Sequence, residues 1–359
     1  MRGEIVYLYA FDVAYEIATD GISEVLSNQS TPFEIRKVHT VPRDIPLYRP
    51  LSIELSKHDA HRNGIPVRTV IRIFDVGVIN VIMRVPFEVA TLEELTSCHQ
   101  PALDSHESFD QFAKRMCNEV CANITASLDR RSVPSEPEAY TIFCLYDLNG
   151  ERDATAWLCQ NRRSVAGLLA ETAHSKLSDS QVDEALKMSR TFTQSDLVVI
   201  DWDASLLVEL DGYSEDVLYV LELANLQLEE FRVMDQRLDA QLERAYKDLE
   251  RYRSPWFGSP TKMLEWLRRF RVDATKLADE VTHITKFWGD WYLARVYLAA
   301  AERFHLNEWQ ASVEKRLLQL DQVYSVLQAD VYERRMLWLE IAVVICFIVD
   351  LLAIFFWKR

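Results

Sequence analysis

Only nine glycines occur in 359 residues. Neither G-x-x-x-x-G-K-[ST] nor G-x-G-x-x-G is among the patterns they form, which excludes nucleotide binding through those phosphate-cradling loops. Cysteine is also sparse. Of the six, Cys117 and Cys121 stand one helical turn apart, Cys346 lies in an apolar run, and Cys98, Cys144 and Cys159 have no pair spacing. That excludes a disulfide framework and fits a reduced compartment. No charged leader followed by a short apolar stretch opens the chain; "EIVYLYAF" reads as a strand almost from the first residue, so neither a signal nor a transit peptide is expected. Basic residues are outnumbered, 40 Lys and Arg against 55 Asp and Glu, for a net charge of −15. An acidic body repels phosphate backbones, so direct nucleic-acid binding is not expected.

What the chain does have is one long apolar run at its end, "RRMLWLEIAVVICFIVDLLAIFFWKR". From Leu337 to Trp357 it matches the ~20 residues, at ~1.5 Å each, that a helix needs to cross a bilayer. Trp338 and Trp357 bracket it as interfacial aromatics would, and Arg334, Arg335, Lys358 and Arg359 stand outside them. The reading is a transmembrane helix over 336–357, with Glu340 near the interface and Asp350 close to the midplane. About a dozen large apolar residues at roughly −0.3 to −0.6 kcal/mol each outweigh about +3 for a central Asp, so insertion is favoured narrowly. The expected location is the bacterial cytoplasmic membrane, single-pass, with the lipid bilayer as a partner and the body in the cytosol. From Arg334 onward four basic residues face two acidic ones, a net +2, so the body before it carries −17 of the total −15.

Residues 1–213 mix strand and helix signals. "IVYLYAF", "LSIEL", "RTVIRIFDVGVINVIMRV", "AYTIFCLYDL" and "LVVIDWDASLLVEL" are β-branched or aromatic runs, and the third and fifth turn at "DVG" and "DWD". "SFDQFAKRMCNEVCANITASL", "RRSVAGLLAETA" and "DSQVDEALKMS" have helical spacing. The fold class is therefore α+β, an α/β head. Its two hairpins share an Asp at the turn, Asp75 and Asp201, which points either to an internal duplication or only to what turns and strands each require.

After Gly212 the pattern becomes helical. Ser214 can cap a helix with Glu215 and Asp216 in its first turn, and an apolar seam through Leu218, Leu221, Asn225, Leu228 and Phe231 runs on to Leu249. "SPWFGSP" breaks it at 254–260, the chain turns back, and a last seam through Leu306, Trp309, Val313, Leu317, Leu320, Tyr324, Leu327 and Val331 enters the apolar run with no Gly or Pro between. Residues 214–335 are thus expected to form a stalk of long antiparallel helices. On it Asn225 either sets coiled-coil register or partners a neighbouring helix.

Chemistry-bearing residues are few. Asp201 and Asp203 in "IDWDAS" could hold Mg²⁺, or serve only the turn; His58 and His61 in "KHDAH" lack the companions of a zinc site. Phe287, Trp288, Trp291 and Tyr292 read as packing rather than as a stacking platform, and "KMLEWLRRFR", with Lys262, Arg268, Arg269 and Arg271, as a solvated helix face. No catalytic residue and no cofactor is expected.

Three stretches, "VLELANLQLEEFRVMDQRLD", "WGDWYLARVYLAAAERFHLNEWQASVEKRLLQLDQVYSVLQ" and "RRMLWLEIAVVICFIVDLL", resemble a widespread set of uncharacterised bacterial tail-anchored membrane proteins. The likeness runs from about Asp211 to the end. The order of head, long helices and an "LE" entering a terminal span more distantly resembles the "required for meiotic nuclear division" family of inner-membrane proteins, in which Glu340 is the one position that carries over. CorA-type magnesium channels share the outline but need two spans and a Gly-Met-Asn loop, which this sequence lacks. The expectation is a non-enzymatic tail-anchored scaffold or tether that assembles as a homo-oligomer with Asp350 at the helix contacts. The alternatives are a pore or ion-handling oligomer lined by Asp350, and a metal-dependent enzyme in the head.

Overall fold

A computed structural model describes residues 1–18, 22, 30–32, 50–54, 60–132, 136–210, 214–251, 268–272, 275 and 291–357. At 30–32, 54, 248–251, 327, 328, 330, 331, 334, 335, 351 and 354–357 only the backbone is described. The chain divides into two compact units, Met1–Val233 with Asp279–Trp309, and Met234–Ala278 with Gln310–Arg359.

The first unit is built on strands β1 (Arg2–Asp12), β2 (Glu16–Ile17), β3 (Ser30–Pro32), β4 (Leu51–Glu54), β5 (His61–Arg62), β6 (Ile65–Pro66), β7 (Arg68–Ile73), β8 (Val78–Glu88), β9 (Leu128–Asp129), β10 (Glu138–Asp147), β11 (Ser189–Arg190), β12 (Asp196–Ile200) and β13 (Ala204–Glu209). Nine of them form one sheet in the order β11-β12-β13-β10-β1-β8-β7-β4-β3; β2 with β9 and β5 with β6 make two small ribbons. Because side chains alternate across a strand, β1 sends Ile5, Tyr7, Tyr9 and Phe11 into the main apolar core and turns Glu4 to the other face.

Three helices cover that apolar face: α1 (Phe109–Asn123), α2 (Ala154–Leu169) and α3 (Asp179–Ala185). Each starts at a side-chain cap. Ser108 accepts from Gln111 N at 3.3 Å, Asp153 from Ala156 N at 2.9 Å and Ser178 from Gln181 N at 3.2 Å. Their apolar stripes, including Phe112, Met116, Trp157, Val165 and Val182, fill the core. The opposite face is covered by the first half of α4 (Ser214–Arg251) and by α5 (Trp291–Arg303), giving a helix–sheet–helix sandwich.

Both expected hairpins exist, β7–β8 and β12–β13. The first turns at Asp75–Gly77, where Gly77 has φ +92° and a Cβ would lie 2.2 Å from Ala14 O. Each hairpin sets its second strand beside an earlier strand, but β8 runs antiparallel to β1 and β13 parallel to β10. The two halves do not share one strand arrangement, so the likeness of the hairpins reflects what turns and strands need.

In the second unit, the rest of α4 lies along α6 (Leu306–Trp357). Ser312 donates to Asp235 at 3.3 Å, and Arg316 pairs with Asp235 at 2.8 Å and also with Asp239. Contacts that advance together along both helices mean that they run in the same sense. Residues 268–272 are helical, and Arg271 pairs with Asp321 of α6. Leu238, Ala245, Val313, Leu317, Leu320 and Tyr324 are the buried seam of this unit. The expected break at 254–260, Lys262, Phe287 and Trp288 lie outside the described residues.

The expected transmembrane helix at 336–357 is overturned. Among the described residues no helix is long and apolar enough to cross a membrane. The apolar stretch carries two acidic residues, Glu340 and Asp350, and a carboxylate is costly in hydrocarbon. The tail-anchored, single-pass reading and its placement in the bacterial cytoplasmic membrane fall with it.

Candidate functional site

The polar chemistry of the first unit is concentrated under α4. Arg72 of β7 and Asn80 of β8 are direct cross-strand partners, and strand alternation points both away from the apolar core. Glu222 of α4 descends between them, paired with Arg72 and accepting from Asn80 Nδ2 at 2.9 Å. Burial pushes the Glu222 carboxyl up, while Arg72 and Asn80 pull it back down. The Arg72 guanidinium also lies 5.6 Å from the centre of the Tyr219 ring.

A second clamp lies two turns earlier on α4. Arg84 forks onto Glu215 at 2.6 and 2.8 Å and reaches Glu4 at 3.2 Å, and Tyr146 OH donates to Glu4 at 2.7 Å. Burial works against the charge of Arg84, but Glu215 and Glu4 outweigh it and raise its pKa. Farther along α4, Asn225 Nδ2 donates to Glu138 O at 3.2 Å. The expected partner of Asn225 was a helix, within the subunit or in a coiled coil; it is the start of a strand. Leu228, beside it, is half-buried.

Glu229 closes this series. Its Oε2 accepts from Arg232 Nε at 2.9 Å and Nη2 at 2.6 Å, with the carboxylates of Glu138 and Asp12 nearby. Burial, reinforced by those two acids, pushes its pKa up to about 8 against the pull of Arg232. A carboxyl raised in the folded state binds protons that the unfolded chain has released. Its stabilising effect is therefore complete below about pH 4.5 and fades as pH rises through about 8. Stability measured by urea unfolding should decline across that window, and Glu229→Gln should flatten the decline; an unchanged slope in the variant would show that Glu229 does not cause it.

Asp201 and Asp203 do not act as a pair. Asp201 is buried, closes its own turn by accepting from Trp202 N at 2.9 Å, and receives Arg303 Nε of α5 at 2.9 Å. Arg303 also donates to Glu184 at 2.7 Å, and Trp202 stacks on His305 with ring centres 4.8 Å apart. Asp203 is exposed, and its backbone carbonyl accepts from Thr141 N at 3.1 Å. Among the described residues no group of three or more His, Cys, Asp or Glu is arranged to hold a metal ion. His61 lies in β5, and His58 is outside the described residues. Tyr292 is buried with its hydroxyl donating to Asp196 at 2.8 Å, whereas Trp291 is exposed.

On α6, Leu320 is buried in the second unit's seam, while Trp338, Glu340 and Asp350 are exposed. The side chains of Leu327, Arg334, Arg335 and Trp357 lie outside the described residues. Among the described side chains from Met336 to Leu352 the large apolar residues are 48% to 68% exposed. Sequence reasoning missed Arg72, Asn80, Arg84 and Glu222. The available signal was a pair of arginines inside the apolar "RTVIRIFDVGVINVIMRV" and the polar letters inside "VLELANLQLEEF".

A sequence model of the family described as "Uncharacterized protein MJ0711, N-terminal domain" matches residues 2–215. The chain belongs to that family. Uncharacterized protein MJ0711 of Methanocaldococcus jannaschii is 21% identical over 215 residues, 60% of this chain and 65% of that protein. The chain thus covers less than two thirds of that relative's length. No solved structure matches. The family match falls on the sheet-bearing part of the first unit, whereas the resemblance to tail-anchored and meiotic-division proteins was drawn from about Asp211 onward; the comparisons do not show that resemblance.

Proposed function

We propose that this chain is a non-enzymatic assembly protein, a family head carried with long helices, whose copies self-associate through the distal part of α6. The observation that carries this reading is the exposed apolar surface from Met336 to Leu352. A helix apolar on all sides is stable in water only when it is covered on all sides, and an exposed patch of this kind marks an interaction surface. The head supports the non-enzymatic part of the reading: its buried charges are spent on one another, as in Arg72 with Glu222 and Arg303 with Asp201.

The test is light scattering on the full chain beside a form ending at Arg334. A defined oligomer that becomes monomeric in the shortened form is expected. A monomer in both forms overturns the reading, and so does a full chain that floats with lipid vesicles as a monomer.

A further inference from the structure

The distal part of α6 offers several stripes with the three-and-four spacing of a helix seam. One continues the packing already present in the second unit. Leu317, Leu320 and Tyr324 are buried there, and the same register passes Leu327, Val331 and Arg334 to reach Trp338, Ile341, Ile345, Ile348 and Leu352. These last five are 48% to 67% exposed. A second is Met336, Leu339, Val343, Cys346 and Asp350.

Charge sets the second aside, and continuity with the buried seam of Leu317, Leu320 and Tyr324 favours the first. The second stripe would press Asp350 into a helix contact, where a carboxylate with no partner is costly. The first puts Glu340 at the third and Asp350 at the sixth position of the heptad, both off the contact and open to water. We infer that copies of this chain pack along Trp338, Ile341, Ile345, Ile348 and Leu352, with Asp350 turned to solvent. This rests on the self-association proposed above and relocates Asp350 from the contact to the outside.

Isoleucine at both core positions of the heptad, Ile345 at one and Ile341 and Ile348 at the other, favours more than two helices. The occupant of this surface is therefore the same segment of further copies.

The test uses the full chain with Cys159→Ser and Cys346→Ser, since both thiols are exposed. Into it go Ile345→Cys or Val343→Cys, one at a time. Each site is the midpoint of its own stripe, so it meets its counterpart whichever way the copies run. Mild oxidation is expected to give disulfide-linked dimers through 345 and to lose them at 343, because a disulfide requires Cα atoms within about 7 Å. Asp350→Leu is expected to leave the mass of the oligomer unchanged. An oligomer that links through 343 and not 345, or whose copy number changes in Asp350→Leu, overturns the seam alone. A monomeric parent overturns the assembly reading and this seam with it.

Discussion

Replacing Glu222 with alanine is expected to destabilise the first unit by about 3–5 kcal/mol, the usual cost of leaving one partner of a buried ion pair uncompensated. Arg72 is buried and Glu222 is its charged partner, so the truncation leaves a guanidinium under α4 with water excluded. Asn80 Nδ2 loses its acceptor in the same step. The paired change Arg72→Met with Glu222→Leu should cost far less than Glu222→Ala, because it removes both charges together and fills the space with apolar atoms. Thermal unfolding followed by circular dichroism distinguishes the cases. If Glu222→Ala melted within a degree or two of the parent, the clamp would contribute nothing, and packing of Leu221, Leu223 and Phe231 alone would hold α4 to the sheet.

That clamp also marks where a sequence stops being legible. Strands at "IVYLYAF" and "AYTIFCLYDL", and hairpins turning at "DVG" and "DWD", follow from alternation and turn chemistry, which are local, and the structure has them where the letters put them. The pairing of Arg72 with Glu222 joins residues 150 positions apart. No periodicity contains it, because it depends on which face of the sheet α4 covers. Asn225 is the same case: its place on a helical seam was readable, but its acceptor on β10 was not. That α4 and α6 run in the same sense was not legible either, because it depends on which of their residues meet.

Changing Asp201 to alanine should be the other large loss, about 3 kcal/mol, at the lower end for a buried pair because Arg303 keeps Glu184. Two effects add in that variant: Arg303 loses its buried partner, and the β12–β13 turn loses the acceptor for Trp202 N. Asp201→Asn separates them. Its side-chain oxygen can still accept from Trp202 N, so it should lose the charge pairing and keep the turn, and it should fall between parent and alanine. The same pair of variants decides what the two aspartates are for. If Asp201 serves Arg303, Mg²⁺ should leave the melting temperature of the parent and of both variants unchanged, and Asp203→Ala, at an exposed position, should cost little. A Mg²⁺-dependent rise in the parent that disappears in Asp201→Ala would mean that the carboxylate exchanges its arginine for a metal ion. The non-enzymatic reading of the head would then have to be given up.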